Sequence, residues 1–179
     1  MWKRATWHEC AAELDQVCLR FRTAYWGERH MSWPRHPADQ AEMEECSVEG
    51  VKLLRAIALA IRSEQDFDLA PNPRRAVGVL KSANATRADA TNVKQRSGFQ
   101  SMLNDSEFIA LSLRQALNKI AHADPLSADY YVGPGRGPVH SQHDLLLFGD
   151  HRGQRWFAAI SILELVKAVQ ELPDINLTA

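Results

Sequence analysis

Hydrophobic residues recur at three- and four-residue intervals over most of the chain, a pattern that predicts a mainly helical protein. Residues 6–26 carry one apolar face, and Thr6 with Glu9 has the spacing of a helix-capping box. Residues 38–65 carry a second apolar stripe behind an acidic first half. We predict a long helix for each segment, joined by a loop over residues 28–37 that contains two prolines.

Residues 106–125 have the widest apolar pattern and are predicted to form a central, buried helix. Ser106 suits the N-cap, Glu107 suits the first turn, and Pro125 ends the segment. Large apolar residues lie on several sides of this helix: Phe108, Ile109, Leu111, Leu113, Leu117 and Ile120. A helix with so wide an apolar surface is expected to be enclosed by other elements.

The segments around the central helix are shorter. Arg74 and Arg75 open a predicted short third helix, and residues 82–98, which are small and polar, are predicted to be a mobile loop. Residues 126–142 contain a Gly-Pro-Gly-Arg-Gly-Pro run, which prolines interrupt, and are predicted to be a rigid loop rather than a phosphate-binding one.

The C-terminal part combines a strand pattern with a helix pattern. Residues 143–160 read as a β-hairpin with turn residues at 149–153. Residues 161–172 read as a helix that Ser161 caps. We therefore predict a single domain over residues 1–179: a bundle of four or five helices with one C-terminal antiparallel β-hairpin.

Composition and charge limit the classes of function. The chain is 45% hydrophobic and 24% charged with a net charge of −1, so nucleic-acid binding would need a local basic patch. No apolar run approaches the roughly 20 residues of a membrane span, and the first residues lack the apolar core of a signal peptide. The three cysteines lack metal-ligand spacing, and we expect reduced thiols in the cytoplasm and no membrane association.

A polar stripe interrupts the apolar pattern of the central helix. Arg114, Asn118 and His122 are spaced four residues apart, so successive members are offset by only about 40° around a helix. Asn118 could hydrogen-bond to His122 and fix its tautomer, which would leave the other ring nitrogen free for chemistry. A histidine near a helix C-terminus is also favoured by the helix dipole alone, so a purely structural role is the competing interpretation.

The run Asn118-Lys-Ile-Ala-His122, late in a predicted buried helix, resembles the motif of the HEPN family of helical domains. That motif is Arg, a polar residue (often Asn), three variable residues and His; here Leu117 stands at the arginine position. The family consists of compact helical bundles, often homodimers, and many members are metal-independent RNases in toxin, defence and RNA-processing systems. A hairpin carrying Trp156 after this helix is similar to a bacterial variant of the group.

The resemblance implies specific roles for the stripe. His122 would be the acid/base group, Asn118 would orient it, and Arg114 would contact the phosphate of RNA, in a dimer that pairs two stripes. No metal or cofactor would be required. The residues that we predict to bind RNA phosphates are basic: Arg74, Arg75, Lys81 and Lys119.

Two hypotheses from other classes remain open. In the first, the chain is a non-enzymatic structural or protein-interaction domain, in which the acidic helix start over residues 38–49 meets a partner protein. In the second, the bundle binds a small molecule through aromatic residues: Trp33, Trp156 and Tyr130. We predict no metal site, because His140, His143, Asp150 and His151 lack a fixed ligand geometry.

Overall fold

The computed structural model describes residues 6–26, 37–66, 72–95, 99–123, 129–132 and 143–173. These residues form five α-helices, one short 3₁₀ helix and one antiparallel sheet of five strands. In chain order the elements are α1 (Trp7–Trp26), α2 (Pro37–Asp66), β1 (Gly78–Lys81), α3 (Arg87–Gln95), the 3₁₀ helix (Phe99–Met102), β2 (Ile109–Leu111), α4 (Leu113–His122), β3 (Asp129–Val132), β4 (His143–His151), β5 (Gln154–Ser161) and α5 (Ile162–Gln170).

The sheet lies between two apolar layers. Its strand order is β2-β1-β5-β4-β3, which places β5 at the centre. Because successive side chains of a strand point to opposite faces, the sheet contributes to two separate cores. One face, with Leu145, Leu147 and Ile160, packs against α1, α2, α4 and α5. The other face, with Phe148 and Phe157, packs against α3, the 3₁₀ helix and the chain before β2.

Several predicted elements are confirmed. Helices α1, α2 and α5 and the β4–β5 hairpin lie within two residues of the predicted bounds. The capping box at Thr6 is present, because the Thr6 amide donates to the Glu9 carboxylate at 2.7 Å and the Glu9 amide donates to the Thr6 hydroxyl at 3.2 Å. The Ser161 hydroxyl accepts from the Glu164 amide at the start of α5.

The prediction that one helix covers residues 106–125 is wrong in its first half. Ile109–Leu111 form strand β2, which pairs with β1, and α4 begins only at Leu113. Ser112 is the N-cap, in a capping box with Gln115. The apolar residues before Ser112 pack on opposite faces of the sheet. Leu111 lies in the core formed with α1, α2, α4 and α5, and Phe108 lies in the core formed with α3 and the 3₁₀ helix. The irregular spacing of apolar residues over 108–111 therefore comes from a strand whose two sides face different cores.

Two further predictions are corrected. The segment after Arg75 is not a third helix but strand β1, which lies between β2 and β5. The predicted mobile loop over 82–98 contains helix α3, whose Asp89 carboxylate accepts from the Thr86 amide at 2.7 Å. The sheet therefore extends well beyond the predicted hairpin, because strands as short as β1 and β2 are defined by their neighbours rather than by local pattern.

Two predicted loops fall partly or wholly outside the described residues. Of the segment 126–142, the structure describes only residues 129–132; they form strand β3, which pairs with β4, so the loop prediction is wrong there. Of the segment 28–37, it describes only Pro37, which is the first residue of α2. A proline is tolerated in the first helical turn, because the N–H that it lacks has no partner within the helix.

The hairpin turn lies at Arg152 and Gly153, whose φ angles are +53° and +78°. Positive φ at two consecutive positions is the geometry that best matches the twist of a tight hairpin. The Asp150 carboxylate accepts from the Gly153 amide at 2.8 Å. The turn is therefore tighter than the predicted 149–153 loop, and Gly149 belongs to strand β4.

Among the described residues, no helix is both long and apolar enough to cross a membrane.

The approach of β1 to β5 leaves no room for a side chain at Gly78. A Cβ there would lie 2.4 Å from the Ala159 carbonyl oxygen, which is backbone and cannot rotate away. We expect Gly78→Ala to lower the free energy of unfolding by about 1–3 kcal/mol, as overpacking in a filled core does. Urea unfolding monitored by circular dichroism would measure it.

Gly153→Asn is the matched control. A Cβ at Gly153 meets nothing within 4 Å, and asparagine tolerates positive φ. We expect this variant to lose less stability than Gly78→Ala, and equal losses would contradict the assignment of a close strand contact at Gly78.

Candidate functional site

Helix α4 is amphipathic and presents its polar stripe to solvent. Leu113, Ala116, Leu117 and Ile120 are buried, and they pack in the core between the sheet and the helices. The side opposite this buried face carries Arg114 and His122, which are exposed, and Asn118, which is half-buried. An anion in solvent can therefore reach the imidazole.

The predicted stripe residues are accessible but do not form a hydrogen-bonded unit. Within the described part of the chain, neither the Asn118 nor the His122 side chain makes a hydrogen bond. Arg114 and His122 are eight residues apart, which is about 12 Å along a helix axis. The Arg114 backbone amide donates to the Asn72 side-chain oxygen at 3.2 Å, which satisfies an N–H in the first turn of α4. Arg114 thus belongs to the opposite end of α4 from His122.

Lys119 is the cation that lies near His122. It is three residues before the histidine, about 4.5 Å along the helix axis, and its Nζ lies 4.3 Å from the centroid of the Trp156 ring. No carboxylate among the described residues pairs with it. Partial burial lowers the pKa of Lys119. The ammonium is therefore held by an aromatic face rather than neutralised by an anion.

The β4–β5 hairpin holds the Trp156 ring in place. The ring is 2% exposed, and it packs directly over Gly149 on the neighbouring strand β4. A Cβ at Gly149 would lie 2.2 Å from ring atom Cζ2, so the Trp156 ring occupies the space that a side chain at position 149 would need. The hairpin thus determines where the Lys119 side chain lies.

Two of the other basic residues predicted to bind RNA form ion pairs with carboxylates of the fold. Arg75 pairs with Glu164 and Glu171, both at 2.6 Å, and these hydrogen bonds raise its pKa. Lys81, at the other end of β1, pairs with Asp89 at 2.9 Å and Glu107 at 3.0 Å.

These two cations therefore join helices to the sheet. Arg74 is exposed and precedes β1 at the Arg75 end of the strand. The structure thus leaves Lys119 and Arg74 as the more available of the four predicted phosphate-binding residues.

Of the three aromatic side chains in the small-molecule hypothesis, the structure describes one. Trp156 is buried beneath Lys119, Trp33 lies outside the described residues, and the Tyr130 side chain is not described. Among the residues that the structure covers, no three His, Cys, Asp or Glu side chains are grouped so as to hold a metal ion. His140 lies outside that part.

The cysteines are internal. Cys10, Cys18 and Cys46 are free and buried, and burial raises the pKa of Cys18 to about 12. A thiol with so high a pKa carries almost no thiolate near neutral pH, so it is a poor nucleophile.

Comparisons with known proteins gave no match: no protein-family model, no curated protein and no solved structure is significantly similar to this chain.

Asp144 is a titratable residue whose surroundings the sequence did not reveal. It is 3% exposed at the start of β4, opposite Ser161 on β5, and its carboxylate accepts from the Phe99 amide at 3.1 Å. Burial raises the pKa of Asp144 to about 7, and the hydrogen bond from Phe99 only partly opposes this. The one available signal was a charged residue directly before an apolar strand.

The buried Asp144 carboxyl predicts an unusual dependence of stability on pH. Its pKa is raised on folding, so its contribution is complete below the unfolded pKa of about 4 and is lost as the pH rises through about 7. We expect urea unfolding between about pH 5 and pH 8 to show a decreasing free energy of unfolding, and Asp144→Asn to flatten that decrease.

Asp89→Asn is the control of opposite sign. Burial raises the pKa of Asp89, but hydrogen bonds from Thr86 and Lys81 outweigh it and lower the pKa overall. Its stabilisation is present above the unfolded pKa and is lost only as the pH falls through the lower folded pKa. The variant should therefore leave the slope between about pH 5 and pH 8 unchanged. A wild-type stability that does not fall over this interval would contradict the buried, ionising Asp144.

Proposed function

We propose that this chain is an HEPN-like RNA-binding protein whose RNA site is the C-terminal half of α4, with His122 as the acid/base group of a metal-independent endoribonuclease. The supporting observation is that His122 is exposed on the same half of one helix as Asn118 and Lys119, whose ammonium pairs with no carboxylate among the described residues. An imidazole and a cation within one helical turn are the groups that phosphodiester cleavage needs.

Lys119 takes the electrostatic role in this proposal. Leu117 occupies the motif position of arginine, is fully buried and contributes to the core, so no side chain there meets a phosphate. Arg114 is too far along the helix axis to act beside His122. Lys119 carries the positive charge that stabilises the developing charge on a phosphate oxygen, and Trp156 holds its side chain beside the site.

The chemistry requires one proton transfer and one displacement. His122 takes the proton of the ribose 2′-hydroxyl, and the 2′ oxygen forms a bond to phosphorus. The bond from phosphorus to the 5′ oxygen breaks, and the proton returns through solvent to that oxygen. The products are a 2′,3′-cyclic phosphate and a 5′-hydroxyl end.

The test is cleavage of single-stranded RNA by purified protein in excess EDTA. We expect product ends with 2′,3′-cyclic phosphate, and a loss of rate of about 10²–10⁴-fold in His122→Ala, the usual contribution of a general acid/base. His151→Ala is the matched control, because His151 is also exposed but lies on the hairpin. Equal rates in wild type and His122→Ala would refute the catalytic role.

RNA binding is measured separately by fluorescence anisotropy. Lys119→Ala should weaken binding and reduce the dependence of affinity on salt, because a phosphate contact is lost. Lys167→Ala is the control, since Lys167 lies on α5 and pairs with Glu164 at 3.0 Å. An unchanged affinity in Lys119→Ala would remove α4 as the RNA surface.

The second candidate function is a non-enzymatic protein-interaction domain in which α2 is the partner surface. One observation favours it. Arg75 and Lys81 are taken up in ion pairs that join elements of the fold. Under this second function, wild-type protein would neither cleave nor retain RNA at moderate salt, and the two measurements above distinguish it from the first.

A further inference from the structure

The outward face of α2 carries large apolar side chains in solvent. This helix is 30 residues long, and its inner face buries Leu54, Ile57 and Ile61 in the core. On the outer face Val48 is 57% exposed and Leu59 is 68% exposed. Eleven residues make about three helical turns, so the two side chains lie on one face.

Charge along this face changes sign near its middle. Glu44 and Glu45, both exposed, precede Val48, and Lys52 and Arg55, both exposed, follow it. These spacings of three, four and seven residues place the four charges on the same side as Val48 and Leu59. Neither Lys52 nor Arg55 forms an ion pair with any residue that the structure describes.

The acidic end of the face borders an open groove between α1 and α2. The groove has a volume of about 610 Å³, and its lining mixes charges of both signs: Arg20, Ala41, Glu44, Glu45, Val48, Glu49 and Lys52. Arg20 of α1 pairs closely with Glu42 at 2.8 Å and Glu49 at 2.9 Å. Arg20 also forms a longer ion pair with Glu45, at 3.7 Å, but the Glu45 side chain is 70% exposed, so a partner can still reach this carboxylate.

We propose that this face of α2 binds a second copy of this chain, with the two α2 helices antiparallel about a two-fold axis level with Gly50. In this register Glu45 of one copy lies opposite Arg55 of the other, and Val48 lies opposite Lys52. Ala41 lies opposite Leu59, so that Leu59 enters the partner's groove.

The sign change identifies the occupant as a second copy. A two-fold contact uses the same patch on both partners, so the patch must be complementary to itself. An antiparallel pair places each acidic half against a basic half in both copies at once, whereas a parallel pair would oppose acid to acid. A purely basic partner would leave Lys52 and Arg55 facing like charges.

This interface is independent of the proposed RNA function. It uses α2 and leaves the α4 surface with His122 open, unlike a dimer that pairs two α4 stripes. Loss of RNA cleavage in His122→Ala would leave the dimer intact, so failure of one proposal is distinguishable from failure of the other.

The experiment measures the mass of the full chain in solution by sedimentation or light scattering. We expect wild type to have twice the 20.1 kDa mass of the chain. Two variants reverse the charges: Glu44→Lys with Glu45→Lys, and Lys52→Glu with Arg55→Glu. Each alone should be monomeric, because like charges then face each other across the axis.

An equal mixture of the two variants is the decisive measurement. In a mixed pair every reversed charge meets its opposite, so the mixture should recover the dimer mass. If the reversals merely damaged the fold, mixing the variants would not restore the dimer. The four changed positions are exposed, so we expect each variant to fold. A monomeric wild type, dimers in both separate variants, or no recovery in the mixture would each overturn the proposal.

A substitution of the apolar contact gives an independent check with a matched control. Leu59→Glu should be monomeric, whereas Ile109→Glu, which changes a side chain of 56% exposure on strand β2, should stay dimeric. Dimers in Leu59→Glu, or monomers in both variants with unchanged circular dichroism, would count against α2 as the interface.

Discussion

The β4–β5 hairpin imposes the constraint on which the rest of this fold depends, because both of its faces are apolar. On β5, Ala158 and Ile160 point to one core and Phe157 and Ala159 to the other. A strand pair buried on both sides must be covered on both sides, since exposed apolar area of that size is unfavourable in water. Helices α1, α2, α4 and α5 cover one face, and α3 with the 3₁₀ helix covers the other.

This arrangement fixes the orientation of α4 and therefore its chemistry. The helix buries Leu117 and Ile120 against its neighbours, so its polar residues can only face solvent. Trp156, seated over Gly149, then meets the side of α4 that carries Lys119. The packing that stabilises the domain thus also places a cation one turn before the exposed His122.

Charged residues have two distinct uses in this structure. Arg20, Arg75 and Lys81 each bind carboxylates on other elements, so they connect α1 to α2 and the sheet to its covering helices. An exposed pair such as Arg20–Glu42 contributes little energy, whereas the Lys81–Asp89 pair is largely buried, with side chains 18% and 6% exposed. Lys52 and Arg55 on α2 and Lys119 on α4 form no ion pair with any residue that the structure describes, so their charges are available to another molecule.

The sequence by itself determined the elements that carry complete local signals: helices α1, α2 and α5 with their apolar stripes, two of them with recognisable caps, and the β4–β5 hairpin. It also identified the Arg114, Asn118 and His122 stripe, but not which side of α4 would face the core. Only the tertiary structure decided that residues 109–111 are a strand, that β1 completes a five-stranded sheet, and that Trp156 meets Lys119. A three- or four-residue strand has no stability of its own and exists through hydrogen bonds to distant segments, so its identity is a property of its partners rather than of its local sequence.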